Sequence, residues 1–337
     1  GYINTTGSFD MPLGVAYLSS ALKSHGFETG LVDLTWTHKP EIPDKSYDLL
    51  ALSSTTLEYQ DALKLAELWK RDTGKPVIIG GCKPTVEPEE TISNPLVDAI
   101  CIGEAEDALL EFVEKYEQTG ALPTDVKNFW VKRENKIHRK PLRRLKGDLD
   151  ILPFPDRTIF DRRHLELKYP GTTILTSRGC PFSCSMCINH YLQKLYKGLG
   201  NYTRFRSVDN IFEEIQSVRE EYKVQRLFFI DDTFTVNHVR LEEFCQRYRK
   251  EVDMPFLIMG RCNTVTRDLI EKLAKAGCVY IGFGVESGNP HIRNDVLNRG
   301  MDETAIVNAF KWSREAGIRT ASYNMLGIPG ETRGMMF

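Results

Sequence analysis

Apolar residues recur at helical spacing from Leu13 to Ser24, with Leu13, Ala16, Tyr17 and Leu22 on one side and Gly26 just past the end. This spacing predicts an amphipathic helix closed by a glycine stop. Short apolar runs at residues 29–34, 47–53, 76–79 and 97–102 read as strands. The 3.6-residue period returns over residues 57–71 and again from Gly103-Glu104 through Tyr116. Strands alternating with helices in this way predict a parallel, doubly wound sheet, which binds ligands at the carboxyl ends of its strands. Those ends are Ser53 to Thr56, Gly80-Gly81 and Gly103-Glu104. All are small or polar, so they suit either a ligand lying close to the backbone or plain turns.

The rhythm breaks between residues 123 and 170. Asn128 to Lys140 has the pattern of a polar hairpin turning at Glu134-Asn135, and Ile151 to Arg157 carries two prolines and reads as extended. From residue 171 a second alternation begins. Strands are predicted at 172–176, 226–230, 255–260, 279–285 and 320–326, and helices at 208–222, 239–251, 266–276 and 302–316, with Gly277 and Gly317 at helix stops. Regular strand–helix units of this kind predict a barrel or half-barrel of parallel strands. The pattern stops where a sixth strand would begin, which reads as a (β/α)6 barrel cut short at its C-terminal end. The expected organisation is therefore a doubly wound domain over residues 1–125, a linker with the hairpin over 126–170, and an incomplete barrel over 171–337.

Composition narrows the class. Of 337 residues 41% are apolar and 27% charged, and 44 basic residues nearly balance 46 acidic ones. This is a globular composition with no global attraction to a polyanion. Lys132 to Lys146 holds eight basic residues against one glutamate. It has no aromatic stacking platform beside it, so a solvated face is expected there and no nucleic-acid partner. No apolar run reaches the ~18 residues of a spanning helix, so no membrane partner is expected.

Five of the eight cysteines, at 82, 101, 245, 262 and 278, are scattered singly and read as core thiols. Cys180, Cys184 and Cys187 crowd into eight residues directly after the first strand of the second alternation, where barrel chemistry sits. Soft sulfur ligands select zinc, copper(I) or an iron–sulfur cluster. A closed zinc site needs four ligands, commonly two close pairs, and only His190 is near enough in sequence to serve as the fourth. Three thiolates on a [4Fe–4S] cube leave one iron open to a ligand, whereas an electron carrier usually takes four.

The triplet reproduces the CxxxCxxC motif of the radical S-adenosylmethionine enzymes. Phe229-Ile230-Asp231-Asp232-Thr233-Phe234, Gly284-Val285-Glu286-Ser287-Gly288 and Gly327-Ile328-Pro329-Gly330-Glu331-Thr332 resemble that family's segments after strands two, four and five. The first domain resembles the cobalamin (B12)-binding domain often fused ahead of it, through Pro12-Leu13-Gly14-Val15-Ala16-Tyr17-Leu18, Gly80-Gly81 with Pro88-Glu89-Glu90, and Gly103-Glu104-Ala105-Glu106. Asp148 to Pro155 resembles the joint between the two.

The resemblance implies that Cys180, Cys184 and Cys187 ligate a [4Fe–4S] cluster whose open iron chelates S-adenosylmethionine. Reductive cleavage would yield a 5′-deoxyadenosyl radical that abstracts hydrogen from an organic substrate. It implies S-adenosylmethionine contacts for Met186, Asp231, Asp232, Arg261, Glu286, Ser287 and Gly327. Met186 stands where the family usually has an aromatic residue. Read as residues alone, Asp231 and Asp232 could instead cap the following helix, Glu286 could be a loop residue, and Gly327 a plain turn. Cobalamin would lie on Leu13, Gly14, Ser54, Thr55, Gly80, Gly81, Gly103 and Glu104.

Asp33 to His38 departs from the Asp-x-His-x-x-Gly pattern that supplies a cobalt ligand in other cobalamin proteins, so no histidine is expected on cobalt. The first domain could alternatively be a scaffold that binds nothing. Methyl transfer to an unactivated carbon is the expected reaction. Radical rearrangement, cyclisation or oxidation is the alternative, and a zinc-stabilised binding module the alternative of another class. An external electron donor such as flavodoxin or ferredoxin is implied, and exposed-cluster chemistry with unpaired thiols suits a reducing cytoplasm.

Overall fold

The computed structural model describes residues 12–32, 44–160 and 171–336. They form two compact units, Gly1–Leu145 with Leu152–Arg162, and Lys146–Ile151 with Arg163–Phe337.

The first unit opens with α1 (Leu13–Lys23), which buries Leu13, Ala16 and Tyr17. Residues 29–32 form no strand, and the rest of that expected run, with Asp33 to His38, lies outside the described residues. Then follow β1 (Leu50–Ser53), α2 (Tyr59–Thr73), β2 (Val77–Gly80), α3 (Cys82–Val86), α4 (Pro88–Ser93), β3 (Ala99–Cys101) and α5 (Glu106–Thr119). Strands β1, β2 and β3 pair in parallel in that order. Val77, Ile78 and Ile79 are all buried, as expected of a strand covered on both faces.

The hairpin forms as β4 (Phe129–Arg133) and β5 (Lys136–Arg139), turning at Glu134 and Asn135, both with positive φ. It does not lie in a linker. β4 pairs antiparallel with β3 and extends the sheet, because alternate residues Phe129 and Val131 point into the core beside Phe112. The two short helices α3 and α4 were also not expected; they fill the β2–β3 connection.

The second unit contains β6 (Gly171–Ile174), β7 (Ser177–Arg178), α6 (Ile188–Leu195), β8 (Arg204–Phe205), α7 (Val208–Glu221), β9 (Arg226–Phe229), α8 (His238–Glu251), β10 (Phe256–Gly260), α9 (Arg267–Ala276), β11 (Cys278–Glu286), α10 (Glu303–Glu315), β12 (Arg319–Asn324) and α11 (Arg333–Met336). Five parallel strands run β6-β9-β10-β11-β12, at the five places expected from residue 171 onward. Each strand pairs with the next of its kind in sequence, the order a right-handed βα progression produces.

The core between sheet and helices is aromatic. Phe229 meets Phe244 and Phe256 edge-on, at 5.4 and 5.5 Å between ring centres, each such pair adding roughly 0.5–1.5 kcal/mol beyond burial. The helices after β8, β9, β10 and β11 are capped by Ser207, Asn237, Thr266 and Asp302. Each accepts from a backbone N–H three residues on, at 3.1, 3.1, 3.2 and 2.6 Å. Such caps contribute about 1 kcal/mol apiece.

Candidate active site

The cysteine loop leaves β6 through a two-residue ladder between β7 and β8. Gly179 has φ +79°, and a Cβ there would lie 2.5 Å from the Tyr202 carbonyl oxygen. Only glycine lets the chain turn so tightly into Cys180. Helix α6 begins directly after Cys187 and fastens the loop from its far side: Gln193 Nε2 donates to the carbonyls of Cys180 and Phe182, at 2.6 and 2.9 Å. A second anchor is the turn of π-helix at Ile292–Val296. Ser185 N donates to Leu297 O at 3.0 Å, Ser185 Oγ to Val296 O at 2.6 Å, and Asn298 Nδ2 to Ser183 O at 2.9 Å.

None of the three cysteines is disulfide-bonded. Each sulfur has a polar neighbour that can donate to it. Thr233 Oγ1 lies 3.7 Å from Cys180 Sγ, and Asn189 Nδ2 lies 3.7 Å from Cys187 Sγ. Cys184 Sγ receives two guanidiniums, Arg261 Nη1 at 3.3 Å and Arg299 Nη1 at 3.5 Å. Burial pushes the Cys180 thiol up, against the pull of Thr233; the N–H, O–H and guanidinium groups around the three sulfurs fit an anionic cluster held by them. Among the described residues no three His, Cys, Asp or Glu side chains gather round a single ion.

Arg299 was not singled out from the sequence. It stands 115 residues from Cys184, in a loop whose only local signal is the following Gly300. Its Nη2 donates to Gly284 O and lies 3.8 Å from Glu286 Oε1. Glu286 ends β11 at a bulge with φ +70°, an uncommon and strained conformation for a non-glycine residue. A Cβ on Gly284 would meet the Glu286 carboxylate at 2.5 Å, so the glycine makes room for this pair. Burial raises the Glu286 carboxyl above its ordinary range, against the opposing pull of Arg299 and Arg261. Arg261 is 4% exposed and stacks over Phe182 with its guanidinium carbon 4.0 Å from the ring centre. Its Nε donates to Asn263 at 2.8 Å.

Asp231 and Asp232 part company. Asp231 is 1% exposed, and its Oδ1 accepts from Thr176 N at 3.2 Å, Thr176 Oγ1 at 2.8 Å and Ser177 Oγ. Arg240 donates to the Thr176 carbonyl and hydroxyl oxygens, both at 3.0 Å. Asp231 thus knots β9 to the strand end before the cysteine loop, and burial raises its carboxyl despite Arg240. Asp232 is exposed and accepts from Asn189 Nδ2 at 3.0 Å, while Tyr202 donates to Asn189 Oδ1 at 2.6 Å. Neither aspartate caps α8, since Asn237 does.

Ser287 is buried, and its Oγ accepts from Asn289 N at 3.2 Å. Arg293 holds its carbonyl at 3.0 Å. Met186 packs against Ile292, Leu297 and Ile328, which brings the cysteine loop to the Gly327–Gly330 turn. That turn is closed by Glu331, whose carboxylate accepts from Gly327 N at 2.8 Å and Ile328 N at 3.2 Å.

In the first unit the three parallel strand ends form one shelf. Gly81, at φ +92°, lies so close to Ser54 that a Cβ would sit 2.9 Å from the Ser54 nitrogen and oxygen. Thr85 Oγ1 donates to Gly81 O at 2.7 Å and accepts from Gly103 N at 3.0 Å, and Asn128 Nδ2 donates to Glu104 O at 2.7 Å. Thr55 is exposed, with Glu58 accepting from its hydroxyl at 2.9 Å. Gly80 is half-buried, and Leu13 is buried while Gly14 is exposed. Leu57, 81% exposed beside Thr55, is an apolar shelf residue the strand pattern did not mark. The exposed small and apolar residues suit a flat ligand resting on backbone.

A βα half-barrel with a cysteine triplet on its first strand end, and a separate parallel sheet with an open shelf, define a radical S-adenosylmethionine protein with a cobalamin domain. The family profiles agree. The Radical SAM superfamily matches residues 174–336 and the B12 binding domain residues 1–113. The chain carries a B12-binding domain ahead of a radical S-adenosylmethionine domain.

Its relatives include an uncharacterized methyltransferase of Pyrococcus horikoshii, 29% identical over 98% of this chain and 72% of that protein. The anaerobic magnesium-protoporphyrin IX monomethyl ester cyclase of Cereibacter sphaeroides is 26% identical over 96% of this chain and 54% of that protein. Among solved structures, the radical S-adenosylmethionine methyltransferase TsrM from Kitasatospora setae superposes with a TM-score of 0.75 at 17% identity, over 99% of this chain and 68% of that one. That last likeness is one of fold. No helix among the described residues is long and apolar enough to cross a membrane.

Proposed function

We propose that this chain catalyses cobalamin-linked radical methylation of an unactivated carbon in an organic substrate. The observation that carries the reading is Cys184, flanked by Arg261 and Arg299 in a loop whose other two cysteines are also met by donors. Cys180, Cys184 and Cys187 would hold a [4Fe–4S] cluster. When bound, the cluster supplies the electron that opens S-adenosylmethionine, and the corrinoid supplies the methyl group.

The chain's own residues bind and orient. Glu286, Asp232 and the exposed edge of the Ser287 turn would receive the cationic and hydroxyl groups of S-adenosylmethionine, with Arg261 for its carboxylate. Met186 and the Gly327 turn, joined through Ile328, offer apolar contact and open backbone to a flat base. Asp231 acts on S-adenosylmethionine only through the loop that it anchors.

The shelf of Ser54, Thr55, Gly80, Gly81, Gly103 and Glu104, with Leu57, would carry the corrinoid. No shelf residue is a histidine, so cobalt would carry no imidazole from it. Leu13 faces the core and would support the shelf, with Gly14 the exposed member of that turn. A one-electron donor such as flavodoxin or ferredoxin and a cytoplasmic setting complete the reading. The cyclase among the relatives supports radical cyclisation as a second reading.

The test is anaerobic reconstitution with iron, sulfide and cobalamin, then reduction with S-adenosylmethionine carrying a labelled methyl group. Methionine and 5′-deoxyadenosine should form in wild-type protein and vanish in Cys184→Ala. Label on cobalamin supports methylation, and 5′-deoxyadenosine without label transfer favours cyclisation. No cleavage by a cluster-loaded protein refutes both.

A further inference from the structure

The longest acid-free tract of the second unit surrounds the cysteines. From residue 167 through residue 208 the sequence contains no aspartate or glutamate, although a stretch of that length would carry about six at the chain's average. It contains six lysines and arginines. Arg204 and Arg206 are buried and spent internally: Arg204 Nη1 donates to the Lys146 carbonyl at 3.0 Å, and Arg206 pairs with buried Glu214. Lys194 and Lys197 are exposed. Among the described residues neither ammonium has an ion-pair partner. With exposed Tyr191 they make an i, i+3, i+6 stripe along α6 and its C-terminal turn.

The opposite side of α6 is committed to the cysteine loop through Gln193 and buried Asn189. At 1.5 Å per residue, Tyr191 lies about 6 Å and Lys194 about 10 Å along the helix from Cys187. A cationic stripe with an aromatic at the end nearer Cys187, one helix thickness from the sulfurs, has the charge and composition of a transient protein docking site.

We propose that the Tyr191–Lys194–Lys197 face of α6 docks an acidic one-electron carrier protein that reduces the cluster. The proposal rests on the cluster assignment above. In the step it serves, one electron leaves the carrier, which is oxidised by one, and enters the cluster, which is reduced by one. The lysines bring an acidic partner to this face, and the short path through α6 makes the orientation productive.

The experiment uses oxidised flavodoxin as the binding probe and reduced flavodoxin as the donor, with intact anaerobically loaded protein. Binding is read by calorimetry, so it does not depend on the cluster. Wild type should bind with an affinity that falls as salt rises. Lys194→Glu/Lys197→Glu should lower affinity and the rate of cluster reduction by flavodoxin about tenfold or more, and flatten the salt dependence. The neutral pair Lys194→Gln/Lys197→Gln should fall between. Reduction by dithionite should be unchanged in both.

Equal flavodoxin affinity and reduction rate in wild type and the double variants would overturn the docking proposal. So would an equal loss with dithionite, which would mean that the substitutions disturbed the cluster itself. Wild-type protein that binds flavodoxin through these lysines yet holds no iron would refute the cluster reading and leave the docking face standing.

Discussion

Asp231 offers the sharpest separation between binding a cofactor and holding up the loop that binds it. Replacing it by alanine removes the oxygen that receives three donors from Thr176 and Ser177. Each orphaned buried donor costs about 1–3 kcal/mol. Arg240 keeps its own hydrogen bonds to Thr176 in either variant. The three donors belong to one network, so their penalties do not simply add. The expected loss is therefore about 3–5 kcal/mol for Asp231→Ala and about 1–3 kcal/mol for Asp231→Asn, which keeps one acceptor oxygen.

Asp232→Asn removes charge from an exposed group with a single side-chain partner and should change stability by less than about 0.5 kcal/mol. Denaturant unfolding of each apo variant, followed by circular dichroism, gives the stabilities. Equilibrium dialysis with S-adenosylmethionine after cluster loading gives the binding. Asp231 variants should unfold early, and Asp232→Asn should unfold like wild type while binding S-adenosylmethionine less tightly. If Asp231→Asn unfolds at the wild-type midpoint but loses S-adenosylmethionine affinity, the scaffold assignment fails.

Gly179→Ala must move the Tyr202 carbonyl or the turn into Cys180, so iron per chain after reconstitution should drop at least twofold while Gly147→Ala, where a Cβ meets nothing within 4 Å, loads normally. Arg299→Gln takes one charged donor from Cys184 Sγ, and since donors to cluster sulfurs raise the potential, an electron-paramagnetic redox titration should show a lower midpoint, with Arg299→Lys intermediate. An unchanged midpoint would mean that Arg299 does not reach the sulfur in the loaded protein. Burial pushes Cys262 up to about 11 and Cys245 up to about 12; mass spectrometry after brief alkylation near neutral pH should therefore find label on exposed Cys82 well before either. The Tyr280 phenol, shifted up to about 12 by burial and by Tyr323 3.4 Å away, favours the folded state while protonated. Its contribution is complete below the ordinary tyrosine value near 10 and is lost as pH rises toward 12. Tyr280→Phe should flatten that alkaline loss of stability, and an equally steep loss in the variant would contradict the assignment.

How much of this molecule is local follows from which residues talk to which. The five barrel strands and their four helices were legible because each apolar run and each 3.6-residue stripe is a neighbourhood property, and helix caps and glycine stops punctuate them in sequence. The cysteine triplet was legible for the same reason: eight residues of one loop carry it. The hairpin turn at Glu134-Asn135 was readable too, but its place in the first sheet was not, because pairing β4 with β3 is settled by Phe129 and Val131 finding Phe112 across the core.

The finer chemistry was decided in three dimensions. Asp231 and Asp232 are indistinguishable as neighbouring letters, yet successive side chains leave a strand end on opposite faces. One is therefore sealed against Thr176 and Arg240, and the other opens beside Asn189. Arg299 and Cys184 meet across 115 residues, a proximity that depends on the bulged end of β11, the π-turn and the cysteine loop all docking together. Local pattern dictates elements because hydrogen bonding and burial repeat every two or 3.6 residues. Which charge reaches which sulfur depends on packing between elements, and no short window of sequence encodes that.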